Sequence, residues 1–422
     1  MLELEVFPER SLGCESWEFV LGMHLSAAIS IIHHQVEVLK GVELLYSDQN
    51  PLEVDIIIRL SNDGIKLIFD SRCQRLKVIE VYSMKKLKLK YSGMSFNTPE
   101  ISPTIEQIDQ SFGATHPGVY DAEKQLYSLH FRGLSFYFPV EAKYQPQYAH
   151  GLGSFQFPNG ASPHVSKMRI YSGDDTNDVE APLSPLCCYH NHVYLEQLEV
   201  IRENHLTHGV RLKVSCEGTQ KVMDLKKQML GHDIRFGESC QDVCSKIGSP
   251  QRIYYKAEDK MRIHSCSAFK TQAMKSDYFF NYFTLGLDIL FDADTDTVKK
   301  FVLHTNYPGH YDFNMYHRCE FVLVVMPNKC LAPNSSPSAS SSSSSTQTQI
   351  MSQEEGLKIT ALSKWDEIAH LLKPSQRPVV LNRTSTTNTT NPFGSTFCYG
   401  FEDIIFEVMP NGHLAAVTLY QV

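Results

Sequence analysis

The chain has 422 residues, 42% of them hydrophobic, with a formal net charge of -8 and a pI of about 6.1. That length allows roughly two to three domains with a large shared core. The negative balance argues against nucleic acid as a partner and against global attraction to an anionic membrane, although a local basic patch escapes that argument.

The N-terminus, Met1-Leu-Glu-Leu-Glu-Val-Phe-Pro-Glu-Arg10, is acidic and lacks the basic and apolar regions of a signal peptide. No apolar run approaches the roughly 18 residues of a membrane span. The 11 cysteines are odd in number and scattered without a repeating framework. Reduced thiols in the cytosol or nucleus are therefore expected.

In chain order, the first helix signal covers residues 26–35, although Ile29, Ile31 and Ile32 also fit a strand. Val54-Asp-Ile-Ile-Ile-Arg-Leu60 reads as a strand, followed by a hairpin turn at Asn62-Asp-Gly64. Next comes Gly64-Ile-Lys-Leu-Ile-Phe-Asp70 with a second apolar run at Lys77-Val-Ile-Glu-Val81. A helix is predicted over 104–112, then strands at Gln125-Leu-Tyr-Ser-Leu-His-Phe131 and Gly133-Leu-Ser-Phe-Tyr-Phe138. Residues 143–235 read as a β-rich insert with one helix over 223–230. The clearest helix spans 238–250, with Gly248 as C-cap and Pro250 as stop.

The earlier pattern then returns as Gly286-Leu-Asp-Ile-Leu-Phe-Asp292, followed by Lys300-Phe-Val-Leu-His304. A strand at Phe321-Val-Leu-Val-Val325 leads into residues 333–349, which contain an unbroken serine run from Ser340 to Ser345. Such a segment cannot offset its ordering entropy and reads as a disordered linker open to phosphorylation. A last helix over 363–374, with Ser363 and Asp366 at capping-box spacing, precedes a polar tract at 382–391. Two strands around Asn411-Gly412 close the chain, the first carrying a weak echo of the motif at Gly400-Phe-Glu-Asp-Ile-Ile-Phe406.

Internal repetition fixes architecture before any motif does. The repeats give four units of helix plus β-meander, near 20–92, 102–142, 236–327 and 358–422. The fold class is therefore α+β and β-rich, arranged as two related halves. The expected domains are 1–142, the insert 143–235, a third unit 236–327, the linker 328–357, and a fourth unit 358–422 packing with the third.

Chemistry-bearing motifs are sparse. No nucleophile elbow, P-loop, zinc-protease or dinucleotide fingerprint is present, so neither an enzyme nor a cofactor is expected. Cys187-Cys-Tyr-His-Asn-His192 has metal-capable side chains, but zinc needs a second pair such as Cys216, or Cys240 with Cys244. Partly buried strand residues are the competing reading, and no metal is assigned. Cys240 and Cys244 at helical spacing read as a core face. His33 and His34 read as structural. Asp70 and Asp292 end the repeated motif, where an Asx-turn role competes with an acid/base pair.

Lys85-Lys-Leu-Lys-Leu-Lys90 is the one local basic run. On a strand, Lys86, Lys88 and Lys90 share a face opposite Leu87 and Leu89. Lys85, Lys86, Lys88 and Lys90 are candidate phosphoinositide contacts, against the alternative of a solvated edge strand. Trp17-Glu-Phe-Val20 and Trp365-Asp-Glu-Ile368 match the aromatic-x-x-aliphatic pattern that adds a strand to ubiquitin-like autophagy modifiers. Trp17, Val20, Trp365 and Ile368 are candidates for that contact, and core anchors are the competing reading.

Gly13-Cys-Glu-Ser-Trp-Glu-Phe-Val-Leu-Gly22, Gly41-Val-Glu-Leu-Leu-Tyr-Ser47 and Tyr307-Pro-Gly-His-Tyr-Asp-Phe-Asn-Met-Tyr-His317 together resemble the phagophore assembly factor 1 family. The resemblance covers the whole chain. It implies a cytosolic, non-enzymatic regulator of autophagy, recruited to the phagophore assembly site. It further implies a complex with a WD-repeat β-propeller of the breast-carcinoma-amplified sequence 3 type, and association of that complex with phosphoinositides. It transfers no catalytic residue. A lipid-handling or trafficking module with an apolar cavity between its halves is the rival reading, and a hydrolase without a signature motif is the third.

Overall fold

The computed structural model describes residues 1–113, 118–141, 147–148, 155–156, 162–174, 179–183, 193–217, 227–256, 276–326, 356–372, 377–382 and 393–421. The chain divides into two units, residues 1–189 and 190–422. Each follows the same element order.

In the first unit, strands Leu2–Phe7, Ser11–Gly13 and Glu18–Val20 precede helix α1 (Leu25–His34) and the strands Val42–Leu45, Ile56–Leu60, Ile65–Phe69 and Leu76–Val81. Strands Leu87–Tyr91 and Met94–Asn97 follow. Helix α2 (Ile105–Phe112) then leads to Val119–Asp121, Leu126–Phe131, Leu134–Pro139 and Lys167–Tyr171. The second unit repeats this with Val193–Glu203, Leu206–Glu217, Lys227–Arg235, helix α3 (Cys240–Ile247), and Arg252–Tyr255, Tyr278–Tyr282, Leu287–Phe291 and Val298–His304. It continues with Phe321–Val325 and Leu357–Thr360. Helix α4 (Trp365–Leu372) precedes Val379–Leu381, Thr396–Phe401, Ile404–Val408 and Leu414–Tyr420.

Each unit thus holds a five-stranded and an eight-stranded sheet. The five-stranded sheets are centred on parallel pairs, Leu2–Phe7 with Leu87–Tyr91 and Val193–Glu203 with Phe321–Val325. The eight-stranded sheets are two antiparallel meanders joined by their last strands, Leu76–Val81 to Lys167–Tyr171 and Val298–His304 to Leu414–Tyr420. The residue preceding each helix, His24, Thr104, Ser239 or Lys364, bridges to Arg75, His164, Thr297 or His413.

The repeated motif is a structural module. Gly64 and Gly286 have φ of +72° and +64°, and an added Cβ would lie 2.5 Å from Ser83 Cβ or from the His317 carbonyl. Only glycine enters both turns without strain. Asp70 accepts hydrogen bonds from the Arg72 and Cys73 amides at 2.9 and 2.8 Å. Asp292 accepts from the Asp294 and Thr295 amides at 3.0 and 3.2 Å. Both aspartates therefore hold Asx-type turns. A hydrogen bond from Lys299, helped by those amides, pulls the Asp292 carboxyl down to about 2.

Alternation does the packing. Strand Ile56–Leu60 buries Ile56, Ile58 and Leu60 while Ile57 and Arg59 stay half-exposed. In the second unit Leu212, Ile234, Ile289, Phe301, Phe321, Phe406, Val243 and Trp365 belong to one continuous core cluster drawn from both sheets and both helices. In the first, Phe112 of α2 stacks on Tyr91 at 4.3 Å and contacts Phe136 at 5.1 Å, joining the two sheets.

Three expectations change. Residues 227–230, expected to be helical, belong to strand Lys227–Arg235, with Val214 opposite Leu230 and Val210 opposite Ile234. Long-range pairing outweighs local helix propensity there; residues 223–226 lie outside the described residues. The segment 143–235 is shared between the units: Lys167–Tyr171 completes the first eight-stranded sheet, and the strands from Val193 open the second unit. At α4 the Ser363 hydroxyl accepts the Thr360 amide at 3.0 Å instead of capping the helix. Full capping boxes stand at Thr104 with Gln107 and Ser239 with Asp242.

The serine-rich residues 333–349 fall outside the described residues, between two paired strands, Phe321–Val325 and Leu357–Thr360. The corresponding strands of the first unit, Leu87–Tyr91 and Met94–Asn97, are joined by Ser92-Gly93 alone, both at positive φ. Replacing residues 328–354 with a short Gly-containing turn should therefore leave the second unit folded. Closure entropy favours the shorter loop by about 2 kcal/mol. Thermal denaturation should show an equal or higher Tm; loss of the cooperative transition would mean that the linker contributes to folding.

Candidate functional site

The basic run is split by the structure. Met84–Lys86 is a 3-10 turn and the strand begins at Leu87, so Lys86 does not share a strand face with Lys88 and Lys90. Lys86 Nζ donates to the Ser61 carbonyl at 2.7 Å, and Lys85 is exposed. Lys88 and Lys90 both pair with Glu3 on the parallel neighbour, Lys88 at 3.0 Å. Hydrogen bonds from Lys90 and Lys88 hold the Glu3 carboxyl below its usual range. The adjoining groove, about 620 Å³, is lined by Glu3, Glu5, Glu15 and Glu18 against Arg10 and Lys90. Its charge balance is acidic.

The aromatic-x-x-aliphatic candidates are set largely into packing. Trp17 is buried and lies 5.1 Å from Phe19, while Val20 is half-buried on the edge strand Glu18–Val20. Trp365 and Ile368 lie on α4, both buried, with Trp365 stacked on Tyr399 at 4.3 Å and 5.4 Å from Phe406. A helical, buried pair does not present the extended backbone that strand addition requires.

Residues 305–320 fold over the outer face of the second eight-stranded sheet. There Asp288 accepts from Asn281 Nδ2 at 2.7 Å and from the Tyr316 hydroxyl at 2.8 Å, and its Oδ2 lies 3.0 Å from His304 Nε2. Tyr316 stacks on His304 at 3.7 Å. Burial, then the Asp288 charge, pushes the Tyr316 phenol up. Nearby, Glu407 Oε1 accepts from Thr396 at 2.7 Å and lies 3.3 Å from His310. Sequence reasoning missed these residues. The one available signal was a carboxylate at the third position of an apolar motif, Asp288, where the other copy has Lys66. The Asp288–His304 pair is engaged by the Asn281 amide and the Tyr316 phenol rather than by a serine, threonine or cysteine. Its geometry is that of a closed polar cluster.

Two half-buried thiols, Cys240 and Cys244, pack beside the second core. Among the described residues, no group of His, Cys, Asp and Glu has the arrangement of a metal site. Residues 187–192 lie outside the described residues, as does the side chain of Cys216.

His413 is 1% exposed, and neither ring nitrogen has a hydrogen-bond partner. Burial, then the charges of Lys364 and Arg318, pulls it down to about 4 from 6.5. A depressed folded value means that the folded form binds fewer protons. Stability is then full above about 6.5 and is lost as pH falls toward about 4, by up to about 3 kcal/mol. His413→Leu should flatten the acid limb of a Tm-against-pH curve; an unchanged limb would assign acid sensitivity elsewhere.

With this geometry in place, comparison decides the lineage. The profile of the family described as phagosome assembly factor 1 matches residues 15–420. The chain belongs to that family. A PHAF1 protein of Drosophila melanogaster is 56% identical over 423 residues, spanning 100% of this chain and 94% of the relative. PHAF1 proteins of Caenorhabditis elegans and Arabidopsis thaliana are 35% and 34% identical, covering 99% and 96% of this chain and 94% and 90% of theirs. No solved structure matches. Among the described residues no helix is long and apolar enough to cross a membrane.

Proposed function

We propose that this chain is a non-enzymatic assembly factor in autophagosome formation, an adaptor recruited from the cytoplasm to the phagophore assembly site. The observation that carries this reading is the match to phagosome assembly factor 1 over nearly the whole chain. The closed packing of the Asp288–His304 cluster supports a scaffold over a hydrolase. Its partner in this reading is a WD-repeat β-propeller, and the complex associates with phosphoinositide membranes.

The lysine run contributes only weakly to such an association. Each exposed lysine adds at most about 1 kcal/mol near an anionic surface, and Lys88 and Lys90 already share Glu3. A partner must add contacts for stable attachment. The test is flotation of the purified chain with phosphoinositide vesicles, with and without the propeller, at two salt concentrations. Partner-dependent flotation is expected, and Lys85→Gln with Lys86→Gln should reduce it modestly. Absence of both propeller binding and partner-dependent flotation would overturn the reading.

A further inference from the structure

Because the two units share one plan, each serves as a control for the other. In the second unit the strand Leu287–Phe291 is buried at every position, since residues 305–320 cover its outer face through Tyr316. In the first unit the corresponding strand Ile65–Phe69 alternates between buried and half-buried. Residues 82–86 pass directly from strand Leu76–Val81 to strand Leu87–Tyr91, without an equivalent covering segment.

The outer face of that first sheet carries an unusual charge arrangement. Lys66 pairs across the strands with Glu80, and Glu80 with Arg169. Lys66 Nζ lies 3.0 Å from Glu80 Oε1, and Arg169 Nε and Lys167 Nζ lie 2.7 and 3.8 Å from Oε2. Three cations converge on one carboxylate, leaving two positive charges in excess. Their side chains keep 27%, 32% and 28% of their surface exposed, whereas Glu80 keeps 5%. The flanking carboxylates Glu43 and Asp55 are paired with Arg59 and Lys77. Lys167 also lies 4.6 Å over the Tyr137 ring.

The second unit shows that the fold does not require this cluster. By register, Lys66 corresponds to Asp288, Glu80 to Val302 and Arg169 to Thr418. Lys167, two residues before Arg169, corresponds to Ala416, and none of the four counterparts is a cation. The arrangement is also electrostatically unsettled. Burial, then the Arg169 charge, with Lys66 and Lys124 adding, pulls the Lys167 ammonium down against the opposing pull of Glu80.

We propose that Lys66, Lys167 and Arg169 form a binding site for a phosphate monoester on the outer face of the first eight-stranded sheet, where residues 305–320 lie in the second unit. A phosphate monoester carries about −1.5 to −2 charges near neutral pH, which matches the local excess. Its three oxygens accept charge-assisted hydrogen bonds from the two lysines and from the guanidinium N–H groups that do not face Glu80. The site uses no residue of the lysine run 85–90, so it stands or falls independently of the assembly role above. The same chemistry is offered by a soluble phosphate ester and by a phosphoinositide headgroup.

The test uses the full chain titrated with inorganic phosphate at constant ionic strength. Saturable binding with a rise in Tm is expected. Lys167→Gln should weaken binding about tenfold while leaving the ligand-free Tm unchanged, because Glu80 keeps its two closer partners. Glu80→Gln removes the internal competing anion and should tighten phosphate binding, a response that a purely structural ion-pair network would not give. Lys88→Gln should bind like the parent. Vesicles of phosphatidylcholine with and without phosphatidylinositol 3-phosphate separate the sources. Lys167-dependent capture assigns the headgroup, whereas Lys167-dependent binding of free phosphate without capture assigns a soluble ester. No saturable response to either probe, or full binding by the Lys167→Gln variant, overturns the proposal.

Discussion

Arg202→Ala should destabilise the second unit by about 3–5 kcal/mol, because it strands a buried carboxylate. Arg202 Nη1 donates to Asp403 Oδ1 at 2.8 Å and to Thr207 Oγ1 at 3.0 Å, while Nη2 reaches the His205 carbonyl at 2.6 Å and also bonds Glu402. The Arg202 and Asp403 side chains are only 8% and 2% exposed. Removing the guanidinium leaves Asp403 without its cation in a low-dielectric setting, where solvent cannot replace it. The first unit supplies a contrast: Arg132 meets Glu9 at 3.1 Å across the corresponding hairpin, but Arg132 is 74% exposed. Arg132→Ala should therefore change stability by at most about 1 kcal/mol. The chain's 2 tryptophans, Trp17 and Trp365, fall one in each unit. In a Trp17→Phe background, urea unfolding followed by Trp365 fluorescence reads the second unit alone. A midpoint for Arg202→Ala equal to that of the Trp17→Phe parent would show that the buried network contributes nothing measurable to the second unit.

Trp365→Ala should cost about 3–5 kcal/mol by removing a large buried ring. Trp365 is 5% exposed and packs on Tyr399 and Phe406, with Ile368 at 2% one turn along. The loss should appear as a lowered Tm for the second unit, and Trp365→Phe should recover much of it. This bears directly on any autophagy-modifier contact assigned to Trp365 and Ile368. Reduced modifier binding by the alanine variant is expected to follow unfolding. A variant that kept the parental Tm and circular dichroism but lost modifier binding would restore the motif reading.

The duplication was legible in the sequence because its signals are local. Gly64 and Gly286 announce turns that need positive φ, and Asp70 and Asp292 close equivalent turns through their own neighbours' amides. Alternating apolar residues fix which strand face is buried. Those features depend on a few consecutive residues, so periodicity and turn chemistry suffice. The strand at Lys227–Arg235 was not legible, because its partner strand, rather than its own propensity, decides its state.

Which charges meet was decided only by the tertiary structure. Glu80 and Arg169 are 89 residues apart and become neighbours through a single strand pairing that joins two meanders. Lys88 and Lys90 read as a bare basic face until the parallel strand Leu2–Phe7 brings Glu3 beside them. The covering of one outer face and not the other follows from what happens after the fourth strand of each meander. The sequence by itself determined two copies of one β-rich plan. Register between distant strands, and the path of residues 305–320 against residues 82–86, decided where polar groups are buried, paired or left in excess. Alternation specifies a side chain's face but carries no information about its cross-strand partner.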